Sequence, residues 1–448
     1  MTAAISHFSV LANVDGSWFP CGHLSLVENG SDSVSSSFEY ARAYLQRSNA
    51  FSVDPVSLPV KSWRPSASPL IPVNGLPFFG AVRDATPDAW GRRVIEAKLG
   101  APLNGLKESQ YLLHAGSNRV GALDIRAKAS AAPMTAPDSW ETLSDIVEAA
   151  DRIDRGIALP AHLTGIFVQG ACLGGARPKA SVRDERGTLQ LAKLSSASDR
   201  FDVPAIEYAT LRLAEKAGLR VPAVRLVRVN DRSVLLIRRF DRYWRVPGDK
   251  TPKGDSRFVR GDAAAGAMEQ RVPFVSALTL MACDEWESRY MSYANLVACM
   301  QRHCRAPFAY DGAAELFKRM VFNILVSNSD DHLRNFGFLW DADVASWRLS
   351  PAYDLTPQPS IATERFQHLS VGKSGRLATL DNALTDHDAF PLSKKFACEL
   401  IADVWEVVSQ WRDAFDGFGI DPQEIQKVAS AFRHIDDIAS RELRHQLP

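Results

Sequence analysis

Asn328-Ser329-Asp330-Asp331-His332-Leu333-Arg334-Asn335-Phe336 is followed, one hairpin length later, by Ser350-Pro351-Ala352-Tyr353-Asp354-Leu355. The first stretch sets Asp330 five residues ahead of Asn335, and the second adds Asp354. Phosphoryl transfer asks little covalent chemistry of a protein. It needs hard oxygen ligands around Mg²⁺ and one carboxylate near the attacking oxygen. Kinase catalytic loops carry those groups in this order: an Asp for the acceptor hydroxyl, an Asn for a metal, then a second Asp for Mg²⁺. Asp and Asn also gather in ordinary loops as caps and turn formers. The flanks favour the chemical reading. Ala314, Phe317, Val321, Ile324 and Leu325 recur at helical spacing before the loop, and the apolar Phe336–Leu339 leads out of it as a strand. His332 either orients Asp330 or the metal shell, or packs as a structural histidine. Asp331 reads as a surface or supporting group.

The bulk numbers frame this. A chain of 448 residues exceeds one ordinary core, so two or three domains are expected. Hydrophobic content of 46% with 23% charged residues fits a globular protein and not a disordered one. The formal net charge is zero, which argues against direct nucleic-acid binding as the main activity. None of Cys21, Cys172, Cys283, Cys299, Cys304 and Cys398 forms a C-x-x-C pair, so a reducing cytoplasm fits. Cys299, His303 and Cys304 lie close together, as one helix face with free thiols or, less readily, a metal site. The N-terminus lacks the pattern of a secretory signal, and no apolar run approaches the roughly 20 residues of a membrane span. A cytoplasmic protein without membrane contact is expected.

Along the chain, Phe8–Val14 reads as a strand with a turn at Asp15-Gly16. Phe38–Gln46 reads as a short helix. Thr86 is expected to cap a helix with Pro87 at its first position, running to Leu99 and stopping at Gly100. Ala127–Pro137 reads as a linker and Trp140–Ile153 as a helix. Ile166–Val168 is expected to be a strand. Hairpins are expected at Ser181–Leu194 and Val224–Arg238, around a helix over Pro204–Ala217. The polar stretch Trp244–Arg260 has little periodicity, and mostly helix is expected from Phe274 onward. A hairpin over Phe336–Leu349 and amphipathic helices over Leu392–Val408 and Glu424–Arg444 follow. The domains expected are 1–126, a linker and helix over 127–163, a small lobe over 164–245, and a helical lobe over 246–448.

Two further constellations bear on a nucleotide. Gly174-Gly175-Ala176-Arg177-Pro178-Lys179 lies between expected strands. Its glycines would let backbone N–H groups approach phosphate oxygens, with charge from Arg177 or Lys179. No G-K-[ST] follows, so it is not a Walker A loop, and a plain turn explains it as well. Lys193 sits in the apolar Leu189–Leu194. It either faces solvent or points inward, where it would need an anion such as a nucleotide phosphate and the helix carboxylate Glu207.

Taken together, Gly174–Ala180, Lys193, Ile206-Glu207-Tyr208, Arg239-Phe240-Asp241-Arg242, Asn328–Phe338 and Ser350–Leu355 resemble the HipA family of toxin kinases from bacterial toxin–antitoxin operons. Asp84–Arg93 and Arg119–Leu123 resemble that family's N-terminal module. The resemblance implies an α+β, protein-kinase-like two-lobed fold, β-rich in its N-terminal part and mainly helical in its C-terminal lobe. It implies Ser/Thr protein kinase activity with ATP and Mg²⁺. Asp330 becomes the catalytic base, with Asn335 and Lys193 also in the catalytic set. Asn335 and Asp354 become the Mg²⁺ ligands. Gly174, Gly175, Ala176, Arg177, Lys179, Lys193, Glu207, Arg238, Phe240, His332 and Tyr353 make up the nucleotide-binding set, with Arg238–Phe240 offering backbone groups to adenine. Arg238 stands where the family often has Glu. Cys172 stands where family members often carry an autophosphorylated Ser, so that self-inhibition is expected to be absent or moved to Ser181 or Thr164. The implied partners are a small helix-turn-helix antitoxin (HipB-like), operator DNA through it, and a protein substrate, aminoacyl-tRNA synthetases being one class that family members modify. The alternatives are a catalytically weak kinase-like protein that acts by binding antitoxin or DNA, and a small-molecule kinase of the same broad fold.

Overall fold

Asp15 and Gly16 both take positive φ, 49° and 79°. That is the mirror-image turn that right-twisted strands prefer, and it closes a hairpin of β1 (Ala4–Val14) and β2 (Ser17–Asn29) as expected. Our computed structural model describes residues 4–29, 32–60, 68–134, 143–164, 175–248 and 266–448. Contacts divide the chain into two units, residues 1–198 with 227–275, and residues 199–226 with 276–448.

In the first unit, β3 (Asp32–Tyr40) and β4 (Leu123–Arg126) complete a four-stranded sheet in the order β3-β2-β1-β4. The helix expected over Phe38–Gln46 is corrected by this pairing. Phe38 and Tyr40 belong to β3, and only Arg42–Leu45 is helical. Helix α1 (Ala89–Leu99) ends at Gly100 in the left-handed conformation, φ 64°, as expected. Its start is also corrected. Asp88 occupies the cap position, while the Thr86 hydroxyl turns back to donate to the carbonyl of Val82 at 2.7 Å. Helices α2 (Glu108–His114) and α3 (Leu143–Asp154) follow. Residues 127–134 lack regular structure. Ile166–Val168, Cys172, Gly174 and residues 249–265 lie outside the described residues.

A second four-stranded sheet contains β5 (Lys179–Arg183), β6 (Leu189–Leu194), β7 (Val224–Val229) and β8 (Arg232–Arg238), in the order β5-β6-β8-β7. The Asn230-Asp231 turn has φ of 49° and 61°, again the mirror-image type. Strand alternation puts Ala180, Val182, Ala192, Leu194, Val234 and Leu236 on one face, where they share a core with Trp90, Val94, Ile146 and Val147. The opposite face therefore carries Lys179, Lys193 and Leu235, which sit in one cross-strand row. Strand β9 (Arg242–Arg245) pairs with β10 (Met268–Arg271), so ordered strand occupies the start of the stretch that lacked periodicity.

In the second unit, α4 (Val203–Lys216) starts at an Asp202 cap whose carboxylate accepts from the Ala205 amide at 3.2 Å. Strand β11 (Phe274–Ser276), which spans the division between the units, precedes the helical region. Helix α5 (Tyr293–His303) is capped by Ser292, and α6 (Ala306–Val326) is the long buried helix that the apolar spacing announced. The hairpin of β12 (Gly337–Asp341) and β13 (Ser346–Leu349) forms as expected. Helix α7 (Lys394–Val408) packs against α6. The single helix expected over Glu424–Arg444 is corrected to short separate helices, Pro422–Val428, Ile435–Ile438 and Arg441–Arg444. The side chains of His434 and Ser440 accept from amides two and three residues on, restarting the chain each time.

Candidate active site

Helix α6 stops at Ser327, which takes φ 50°, ψ 43°. This left-handed residue turns the chain into the 328–335 loop. Asn335 ends a short 3-10 turn and donates its side-chain amide to the carbonyl of Asp330 at 2.8 Å. With the amide nitrogen engaged, the carboxamide oxygen is the atom left for a cation. Asp354 is held at φ 55°, a conformation rare for residues with a Cβ, at the far end of the β12–β13 hairpin. Tyr353 anchors that end by donating its hydroxyl to the Arg334 carbonyl at 2.7 Å. The Asp330 side chain is 68% exposed. Partial desolvation raises its pKa first, His332 opposes the rise, and repulsion from Asp354 adds to it. The His332 ring lies 3.8 Å from the Asp330 carboxylate. Asp330, His332, Asn335, Tyr353 and Asp354 are therefore gathered in one short region of the second unit.

Asp331 differs from its neighbour, and of the two readings, surface or supporting group, the structure takes the second. It is 1% exposed. Its carboxylate accepts from the Tyr293 hydroxyl at 2.5 Å and from the His368 amide at 2.6 Å. Tyr293 in turn accepts from Asn323 at 3.1 Å, Asn328 donates to the Asn323 side-chain oxygen at 3.0 Å, and Asn328 reaches the Asp354 carbonyl at 3.5 Å. A buried polar chain thus runs beneath the loop from Asp331 to the backbone of Asp354. Burial pushes the Asp331 carboxyl up to about 6. Burial also lowers His368 to about 4, helped by the charges of His332, Arg376 and Arg289. Arg319 Nη1 and Asn328 Oδ1, both buried without a protein partner, border a small cavity under the loop. A water is the expected occupant of such a space. Two adjacent aspartates look alike in sequence, and nothing near Tyr293 or Asn323 flagged this chain.

In the first unit, Gly175 takes φ 108°, so glycine is needed there. Its amide donates to the Asp88 carboxylate at 2.7 Å. Arg177 is exposed, while Lys179 is 4% exposed with its ammonium against Gly175. Ala176 is exposed and Lys193 half-buried. Arg238 ends β8, buried on the core face opposite Lys193, and Phe240 lies in the turn that follows. Glu207 is 3% exposed on α4 in the second unit. The Arg239-Phe240-Asp241-Arg242 motif has a structural duty that sequence reading missed. Asp241 accepts from Arg239 at 2.6 Å, from Arg242 at 2.8 Å and from the Gly121 amide at 2.7 Å. The two arginines also donate to the carbonyls of Asn118, Arg119 and Gly121. Burial alone would raise the Asp241 carboxyl, but Arg239 and Arg242 hold it well below the usual range.

The donor chemistry fits a magnesium nucleotide. Among the described residues no group of three His, Cys, Asp or Glu side chains is placed to hold a metal. One carboxylate and one carboxamide oxygen match Mg²⁺ held jointly by protein and phosphates, since Mg²⁺ keeps waters and takes few protein ligands. No described helix is long and apolar enough to cross a membrane.

This α+β architecture is a HipA-like fold. The family model of the HipA-like C-terminal domain matches residues 171–411, and the chain belongs to that family. Two curated relatives bear the name "putative kinase". One, from Haemophilus influenzae, is 28% identical over 163 residues, spanning 35% of this chain and 42% of that protein. The other, from Sinorhizobium fredii, is 26% identical over 366 residues, spanning 77% of each. Among solved structures, the HipA, HipB and operator DNA complex of Shewanella oneidensis MR-1 contains a chain similar in fold. Its TM-score is 0.63 at 16% identity, over 98% of this chain and 95% of that one.

Proposed function

We propose that the protein is an ATP- and Mg²⁺-dependent serine/threonine protein kinase and the toxin of a HipA-type toxin–antitoxin system. The observation that carries this reading is the gathering of Asp330, Asn335 and Asp354, with the Asn335 amide tied to the Asp330 backbone and the two carboxylates close enough to repel. Asn335 Oδ1 and the Asp354 carboxylate would hold Mg²⁺, which supplies charge neutralisation on the phosphate oxygens. Asp330 would accept the proton of the acceptor hydroxyl, and its exposure suits an acceptor carried on another protein. Lys193, in a cross-strand row with Lys179, would meet the phosphates. The Gly174–Lys179 segment would wrap those phosphates, Arg238–Phe240 would face adenine, and His332 and Tyr353 would flank the metal.

A small helix-turn-helix antitoxin is the proposed partner, and operator DNA is reached through it. The zero net charge of the chain supports leaving DNA contact to that partner. Incubation of the purified protein with labelled ATP and Mg²⁺, followed by phosphoproteomics soon after induction in a host cell, tests the activity and names the substrate. Transfer that survives EDTA, or no transfer to any protein, would overturn the reading.

A further inference from the structure

Asp88 sits at the cap position of α1, yet its carboxylate makes no capping hydrogen bond. Its carboxylate instead accepts from the Gly175 amide at 2.7 Å. The exchange is reciprocal, because the Trp90 amide donates to the Gly175 carbonyl at 3.3 Å. Trp90 also donates its indole N–H to the Lys179 carbonyl at 2.9 Å, from a side chain that is fully buried. Residues Asp88 and Trp90 of the N-terminal part therefore grip both ends of the 175–179 strip. The sequence offers no hint of this, since 87 residues separate Asp88 from Gly175.

We propose that Asp88 is a positioning residue for the nucleotide, fixing the Gly175 turn from outside the kinase-like sheet. The proposal rests on the function proposed above. The alternative is that the Asp88 carboxylate mimics a phosphate and competes with it for the loop. The bonding pattern favours positioning. A competing anion would occupy N–H donors. The Asp88 carboxylate takes one such donor, but it acts together with two Trp90 contacts that engage the Gly175 and Lys179 carbonyls, which a phosphate does not seek. They set the backbone path between Gly175 and the two basic residues, Arg177 and Lys179. Lys179 gains a second restraint, because its ammonium lies against Gly175, where any Cβ would collide with it.

The test is steady-state kinetics with ATP as the varied substrate, on the full chain. Asp88→Ala is expected to raise KM for ATP by about tenfold, the worth of one hydrogen bond to a charged group, with kcat within about twofold. Asp88→Asn keeps an acceptor oxygen and is expected to restore most of the affinity. Trp90→Phe keeps the aromatic volume in the core but loses the indole donor, and is expected to raise KM as well. This second variant serves if Asp88→Ala does not fold. A general loss of folding would lower the active fraction and not split KM from kcat. An unchanged or lowered KM for ATP in the Asp88 and Trp90 variants overturns the proposal. Wild-type protein without ATP turnover would instead overturn the kinase reading, so the two failures are distinct.

Discussion

Replacing Tyr293 with Phe isolates the buried chain beneath the catalytic loop. The ring would remain in place, edge-on to Phe336 with centroids 5.7 Å apart, and only the hydroxyl would be lost. That hydroxyl donates to Asp331 and accepts from Asn323, and all three residues are buried. At pH 7.5 Asp331 is ionised, because its carboxyl titrates at about 6. Losing a donor to a buried charged group costs about 1.5–3 kcal/mol, and orphaning the Asn323 amide adds about 1 kcal/mol, so a loss of roughly 2.5–4 kcal/mol is expected. The pH sign follows from the direction of the shift. The folded carboxyl is raised above its ordinary value of 3.8, so its protonated form favours the fold. That contribution is fully present below about 4 and is lost as pH rises through about 6. The Tyr293 bond offsets this loss by stabilising the ionised form. Its removal therefore matters most above pH 6. At pH 5 only a neutral hydrogen bond disappears, and the loss should shrink to about 1–2 kcal/mol. Urea unfolding of both proteins at pH 5.0 and 7.5 reads this directly. Taking the difference between variant and wild type also cancels the opposing titration of His368, which is lowered to about 4. A loss under about 1 kcal/mol at both pH values, or a larger loss at pH 5, would refute the reasoning.

Other outcomes follow from the same geometry. Asp354→Gly suits the left-handed backbone at φ 55°, so stability should stay within about 1 kcal/mol of wild type by thermal unfolding while Mg²⁺-dependent phosphate transfer disappears. Arg239→Ala would leave the buried Asp241 carboxylate short of its closest partner, and a loss of about 3–5 kcal/mol is expected in urea unfolding. Mass-spectrometric mapping after incubation with ATP should find no phosphate on Cys172, with any self-modification on Ser181 or Thr164.

Local signals carried much of the architecture. Asp15-Gly16 and Asn230-Asp231 mark mirror-image turns, and the apolar spacing of α6 marks a buried helix, because both depend on neighbours in the chain. The Asp330–Asn335–Asp354 set was legible for the same reason, since one loop and one hairpin bring it together. What escaped depends on distant partners. Asp330 and Asp331 are adjacent and chemically identical, yet one is 68% exposed at its side chain and the other 1% exposed. Only Tyr293 and His368, from elsewhere in the chain, tell them apart. The Arg239–Arg242 motif reads as part of a nucleotide strand until Gly121, 120 residues earlier, is seen to close around Asp241. Helix boundaries failed where side chains competed with the backbone. Thr86 turned back instead of capping, and His434 and Ser440 interrupted the expected C-terminal helix.

The most direct measurement compares ³²P transfer from ATP by wild type and Asp330→Ala, each shown to share the same unfolding midpoint. Asp330 has an exposed side chain, so the variant should keep its stability within about 0.5 kcal/mol. Its transfer should fall to background, while wild type transfers phosphate to protein only when Mg²⁺ is present. Equal transfer by the two proteins would contradict a phosphoryl-transfer role for the loop.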